Sequence, residues 1–212
     1  MDAYTTEQEQ IDKIKKWWDE NGKAVVLGLA IGIGGLFGYR YWESARVAEG
    51  QNASINYEHL LGVAPSGTSD EATATGDAII AGYPKSTYAR LSSLVLAKLA
   101  VDSGDLTHAK ERLQWVIDNS GDGKTKPIAL ARMAQILLAE GNVEEADTLI
   151  GQIDPIHAEQ FAELRGDILA AQGEPEKARE MYNKTLDLAQ QRGITGAVVQ
   201  LKIDNINLAT RR

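Results

Sequence analysis

Gly104-Asp105-Leu106-Thr107-His108-Ala109, Gly141-Asn142-Val143-Glu144-Glu145-Ala146 and Gly173-Glu174-Pro175-Glu176-Lys177-Ala178 share one pattern, a glycine followed five residues later by an alanine. Their glycines are 37 and 32 residues apart. Before each glycine lies an apolar pattern at helical spacing: Leu91, Leu94, Val95 and Leu99; Leu130, Met133, Ile136 and Leu137; Phe161, Leu164, Ile168 and Leu169. Four positions after each alanine comes a larger side chain, Leu113, Ile150 or Tyr182. A glycine that ends one helix, then a small residue where a second helix approaches it closely, is the outline of a helical hairpin. The chain is therefore expected to be all-α and built from repeated helix pairs.

The spacings bracket the 34-residue period of the tetratricopeptide repeat, in which a glycine and an alanine hold these two places. The match lacks the Trp and most of the Tyr and Phe positions of that repeat, and an irregular helical bundle is the competing reading. Ala197 to Leu208, with Val198, Leu201, Ile203 and Ile206, is expected to be a terminal helix covering the exposed end of the stack. Upstream, Pro84 halts one helix and Ser86 or Thr87 can cap the next. The stretch from Gly62 to Gly76 (GVAPSGTSDEATATG) is small, polar and aperiodic and reads as a flexible loop, with structure resuming at Asp77.

Near the start, Ala24 to Tyr39 (AVVLGLAIGIGGLFGY) carries no charge and lies between Lys23 and Arg40. A hydrocarbon core of ~30 Å needs about 20 helical residues, so the run has to be completed by its flanks. Trp17 and Trp18 before it, and Tyr39, Tyr41 and Trp42 at its far end, are the rings expected at the two interfaces, and Lys23 and Arg40 can snorkel outward. A cleaved signal peptide is disfavoured: the leader carries Glu7, Glu9, Asp12, Asp19 and Glu20, and no small-x-small site follows the run. Lys13, Lys15, Lys16 and Lys23 on one side against Arg40 and Arg46 on the other favour a cytoplasmic N terminus. The expected organisation is a leader over 1–22, a transmembrane helix over 23–42, a juxtamembrane helix over 43–61 bearing Val47, Ile55 and Leu60, a loop over 62–76, and the repeat domain with its terminal helix over 77–212.

Gly28, Gly32 and Gly35 fall within about 60° of one another on a helix, and Gly38 and Gly34 extend the same side. Small residues at this spacing let transmembrane helices approach closely, so the face is a candidate for packing against another membrane helix. Glycine is also common in lone anchors.

Composition excludes several functions. From Glu43 onward there are 17 basic and 24 acidic residues, an acidic balance that repels phosphate backbones, so nucleic acid is not an expected partner. With no cysteine, disulfides, thiolate metal sites and a cysteine nucleophile are absent. His59, His108 and His157 lie in separate segments without a second ligand at helical spacing, and no metal or other cofactor is expected. The serines lack an adjoining base and oxyanion arrangement, while Glu144, Glu145, Glu174 and Glu176 sit at helix starts, where carboxylates favour the helix dipole. No catalytic residue is assigned.

The juxtamembrane block, Glu20-Asn21-Gly22-Lys23-Ala24 opening the span and Tyr39-Arg40-Tyr41-Trp42 closing it, resembles the YfgM family of bacterial inner-membrane proteins, ancillary subunits of the SecYEG translocon. The likeness continues through the segment from Tyr88 to Ala97, through Leu164-Arg165-Gly166-Asp167 and through Leu201-Lys202-Ile203-Asp204-Asn205. It implies a single-span inner-membrane protein with a periplasmic tetratricopeptide domain, partnered with the translocon and with the membrane-anchored prolyl isomerase homologue PpiD, aiding newly exported chains. It brings no catalytic residues. Other readings are a scaffold for an envelope or cell-division complex, an envelope hydrolase, and a stress-signalling regulator acting through the leader. In a superhelix of such repeats the first helix of each pair lines the concave surface. Counting back from the three glycines puts Leu94, Lys98 and Asp102, then Ala131, Gln135 and Leu138, then Glu163, Asp167 and Ala170 there, as candidates for partner contact. The terminal helix is the competing occupant of that groove.

Overall fold

A computed structural model describes residues 3–65, 69–120 and 123–209, and among these there is no strand. The chain divides into two compact units, 1–52 and 53–212.

The first unit is formed by helix α1 (Ala3–Val63), whose last turns belong to the second unit. It contains the helix among the described residues that is long and apolar enough to cross a membrane. Its apolar side chains are bare: Leu27, Leu29, Ile31, Leu36 and Phe37 are all exposed, Phe37 to 68%. In water such a surface would be costly, at about 25 cal/mol for each Å2 of apolar area.

In the second unit the expected hairpins form. Helices α3 (Thr87–Asp102) and α4 (Leu106–Asp118) make the first, α5 (Thr125–Ala139) and α6 (Val143–Gly151) the second. After the short α7 (Pro155–Ala158) and a 3-10 turn (Glu159–Phe161), α8 (Ala162–Ala171) and α9 (Pro175–Gln191) make the third. Helix α10 (Ala197–Ala209) packs on α9. Ser86 begins α3, its hydroxyl accepting from the amide of Ala89 at 3.0 Å.

One turn is used three times. Gly104, Gly141 and Gly173 have φ of +82°, +85° and +79°, the left-handed region in which a Cβ is strained. At the second, the Gly141 amide donates to Leu138 O at 3.1 Å and the Asn142 amide to Leu137 O at 2.8 Å, closing the end of α5 as a Schellman motif. Asn142 is also the residue from which α6 starts, since its carbonyl accepts from the Ala146 amide at 3.1 Å. The reversal has no slack, and it drives the repeat alanine into the partner helix. Ala109, Ala146 and Ala178 are all fully buried, and Leu113, Ile150 and Tyr182 fill the core one turn later.

A second small residue faces them, seven positions before each glycine: Ala97, Ala134 and Gly166, all buried. The third differs for a reason. Tyr182 brings a ring where the other repeats have an aliphatic chain, and a Cβ on Gly166 would stand 2.5 Å from Tyr182 Cε1. Only hydrogen fits there.

The flexible loop expected over 62–76 requires correction. Helix α1 extends to Val63, and α2 (Ser69–Gly82) covers most of the remainder; residues 66–68 of the expected loop lie outside the described residues. The segment is helical because its small residues are a packing surface. Ala72 and Ile79 are buried with Leu60, and a Cβ on Gly76 would meet Leu96 of α3 at 2.8 Å. Asp70 and Glu71 lie in the first turn, where negative charge favours the helix. Arg112 of α4 grips Asp77 through two bonds of 2.6 and 3.2 Å. The packed unit thus begins well before Asp77, with the end of α1 joining through Tyr57 against Tyr88 at 5.7 Å between ring centres.

These contacts predict two stabilities. Gly141→Ala places a Cβ in the left-handed region and is expected to cost about 1–2 kcal/mol. Gly166→Ala must push the Tyr182 ring aside, an overpacking cost of about 1–3 kcal/mol. Urea unfolding followed by circular dichroism measures both, and midpoints equal to that of the parent chain would contradict the packing described.

Candidate interaction site

The first helices of the three hairpins, α3, α5 and α8, carry the residues expected on the concave face, and the structure sorts them. Leu94 is a correction as an outward contact: it is only 5% exposed and sits in the main hydrophobic core, because α3 is covered on both flanks by neighbouring helices, whereas Ala131, 4% exposed in the same core, keeps only its edge on the groove. Leu138 is half-buried against that core. Ala170 is exposed. Lys98 and Asp102 are exposed on α3 and pair with each other; an ion pair so open to water contributes little to stability.

Gln135, Glu163 and Asp167 are brought together. With Ala131 and Arg132 of α5 they line a pocket of about 400 Å3 whose far side is Lys202 of α10. Arg132 and Gln135 also edge an adjoining cleft of about 390 Å3 between α3, α4 and α5. The walls of that cleft are apolar, with Ala97, Val101, Leu106 and Ile136, and Lys98 stands at its rim. Arg132 anchors the junction by donating to the carbonyl of Leu94 at 3.2 Å.

The polar pocket is organised by Lys202. Its Nζ donates to Glu163 Oε1 at 2.6 Å and to both oxygens of Asp167 at 2.7 and 2.8 Å, and it lies 5.8 Å from the centre of the Tyr182 ring. The Tyr182 hydroxyl donates to Asp167 Oδ1 at 2.8 Å. Burial, then the bond to Asp167, raise the tyrosine pKa well above its ordinary 10.0. For Lys202, burial pulls the pKa down, but the bonds to Asp167 and Glu163 outweigh it and the result lies above 10.5. Both shifts have the same sign: what they contribute to stability is fully present at neutral pH and is lost only as pH rises through the alkaline range. The competing occupant named from sequence, the terminal helix, is therefore in contact with this end of the groove.

Arg132 and Lys202 were not among the expected contacts. Arg132 had a signal, since it and Gln135 are the polar interruptions in the apolar interior of α5, three residues apart and hence on one face. Lys202 had none, because its partners are 35 and 39 residues away.

In the first unit, Gly28, Gly32, Gly35 and Gly38 have open space where a Cβ would stand. Among the described residues no group of three His, Cys, Asp or Glu side chains is placed to hold a metal ion.

Comparison with known proteins agrees with this architecture. A family model described as a tetratricopeptide repeat-like domain matches residues 15–208. A protein of Escherichia coli (strain K12) named ancillary SecYEG translocon subunit is 30% identical over 98% of this chain and 100% of its own length. Proteins of the same name from Haemophilus influenzae and Neisseria gonorrhoeae are 29% and 26% identical over 96% and 97% of this chain, each along its full length. Among solved structures, TPR-like repeats from Podosopora anserina superpose with a TM-score of 0.52 at 14% identity, covering 76% of this chain and 97% of that one, a likeness of fold alone. With the family model spanning the hairpins and the likeness running end to end, the chain belongs to the tetratricopeptide repeat-like family of ancillary SecYEG translocon subunits, the YfgM family.

Proposed function

We propose that this protein is a non-catalytic, membrane-tethered interaction subunit of the Sec export machinery. The supporting observation is the likeness of the whole chain, anchor and hairpins together, to proteins named for that assembly. Helix α1 spans the inner membrane once with its N terminus in the cytoplasm, the side favoured by Lys13, Lys15, Lys16 and Lys23. The repeat unit lies in the periplasm. There it holds a PpiD-like chaperone near the channel exit, so that an emerging polypeptide meets its helper at high effective concentration.

Two surfaces serve this role. The glycine face of the span, Gly28, Gly32, Gly35 and Gly38, packs on a membrane helix of the translocon. The concave cleft bordered by Lys98, Arg132 and Gln135 takes a segment of the chaperone or of an exported chain, its apolar walls giving affinity and its polar rim orientation.

Purification of the full-length protein from membranes in mild detergent, followed by identification of what accompanies it, tests the assignment. Translocon subunits and a PpiD-like chaperone are expected, and recovery of a division or other envelope complex without the translocon would overturn it. Gly32→Leu is expected to weaken translocon recovery several-fold while membrane insertion is retained. Lys98→Glu combined with Gln135→Glu reverses the character of the cleft rim and is expected to lower chaperone or client recovery with the helical content unchanged; undiminished recovery would remove the cleft from the model of function.

A further inference from the structure

The leader that precedes the span has an unpartnered face, and its charge pattern identifies the partner. Between Glu9 and Lys23 there are eight charged residues: Glu9, Asp12, Lys13, Lys15, Lys16, Asp19, Glu20 and Lys23. On a helix advancing ~100° per residue all of them fall in one arc of about 160°. Ile11, Ile14, Trp17 and Trp18 occupy the opposite side, within about 120°. The segment is helical throughout, and these four side chains are exposed, Ile14 to 67%. This separation was hidden by length, because the polar-to-apolar contrast of the leader is diluted in a helix of 61 residues.

We infer that residues 9–20 form an amphipathic helix that lies on the lipid surface at the cytoplasmic face, with Ile11, Ile14 and the two tryptophans in the interface. This rests on the reading of residues 24–39 as a membrane span. The order of charges within the polar arc favours lipid over a protein groove. Its two edges, beside the apolar face, are held by Lys15 and Lys13, and all four carboxylates lie between them. A lysine at the edge can lay its methylenes along the acyl boundary and raise its ammonium to the phosphates, while carboxylates in the centre of the arc face water. Tryptophan is the side chain best suited to the headgroup level. The apolar face also continues into the span: at the same pitch Ile11, Ile14, Trp18, Gly22 and Val25 fall on one line of about 80°. A surface that enters the bilayer at Ala24 is already beside lipid one turn earlier.

Helix α1 runs unbroken through Asn21-Gly22 in this structure; passing from surface to span requires it to bend, and this is where it is easiest to bend. Gly22 adds no side chain to stiffen the turn, and the Trp18 ring covers it, at 3.2 Å from where a Cβ would be. The Asn21 side-chain amide donates to the carbonyl of Trp17 at 3.1 Å, a bond that would keep this carbonyl partnered where the helix bends.

The absence of cysteine makes the test clean. Full-length chains with one cysteine at Ile11, Ile14, Asp12 or Lys16, each carrying an environment-sensitive fluorophore, are reconstituted into phosphatidylethanolamine–phosphatidylglycerol vesicles. A fifth chain labelled at Phe37→Cys reports on the span. The inference expects labels at 11 and 14 to be quenched several-fold more by lipid-borne nitroxide than labels at 12 and 16, which respond to an aqueous quencher. Equal aqueous quenching at all four leader sites, with the Phe37 label protected, would overturn the surface helix and leave the span standing. Exposure of the Phe37 label to the aqueous quencher would overturn both. Protection at 11 and 14 that arises only when translocon is added would assign the face to protein and also overturn the inference.

Discussion

The repeat unit depends on how close two helices can come at the start of each hairpin. The left-handed glycine reverses the chain in so few atoms that the residue after it both closes one helix and opens the next, as Asn142 does through its amide and its carbonyl. Two helices joined so tightly have to cross with small side chains between them. Ala109, Ala146 and Ala178 meet that requirement from one side, and Ala97, Ala134 and Gly166 from the other. The third hairpin shows the constraint operating in reverse, for a larger side chain at 182 is accommodated by deleting the last methyl at 166. Close packing leaves no other accommodation when a ring replaces an aliphatic chain.

This explains which parts of the fold were legible in the sequence. The hairpins could be read because glycine, alanine and the apolar pattern each have one role and are local to the turn. Helix α2 could not, because a helix that buries Ala72 and Ile79 beside Leu60 and brings Gly76 close against Leu96 carries its information in what its residues lack. Small size and polarity are also the marks of a loop, and only the presence of α3 makes them a packing surface. The concave face was legible in part. Counting along the helix located Gln135, Glu163 and Asp167, which do converge with the edge of Ala131 beside them, but rotated Leu94 outward when the neighbouring helices cover it. Arg132 could have been found as a charge interrupting an apolar helix. Lys202 could not, because the attraction that positions it acts between residues far apart in the chain.

The two units solve opposite solvent problems. In the repeat unit apolar side chains are removed from water by helix packing, and small residues serve to bring helices together within one chain. In the first unit the apolar side chains remain on the outside and the small residues have no internal partner. Glycines in a helix are costly unless something uses the bare surface they leave. The same residue type thus has an observed role at 166 and an unfilled one at 28, 32, 35 and 38, which is why the bare face is read as an interface.

Helix α10 links stability to access. A terminal helix that served only as a cap would turn a polar outer face to solvent. Here Val199 and Ile203 are buried on α9 while Val198 and Leu201 stay exposed, at 64% and 63%. The helix is also held by a lysine that satisfies two carboxylates of the groove. Removing that lysine would take away the ammonium that bridges Glu163 and Asp167 and ties α10 to α8. The adjoining cleft is walled by apolar side chains. The repeat unit therefore carries two adjoining surfaces of different character: an apolar cleft rimmed by Lys98 and Gln135, and a pocket whose carboxylates are already paired with the protein's own terminal helix.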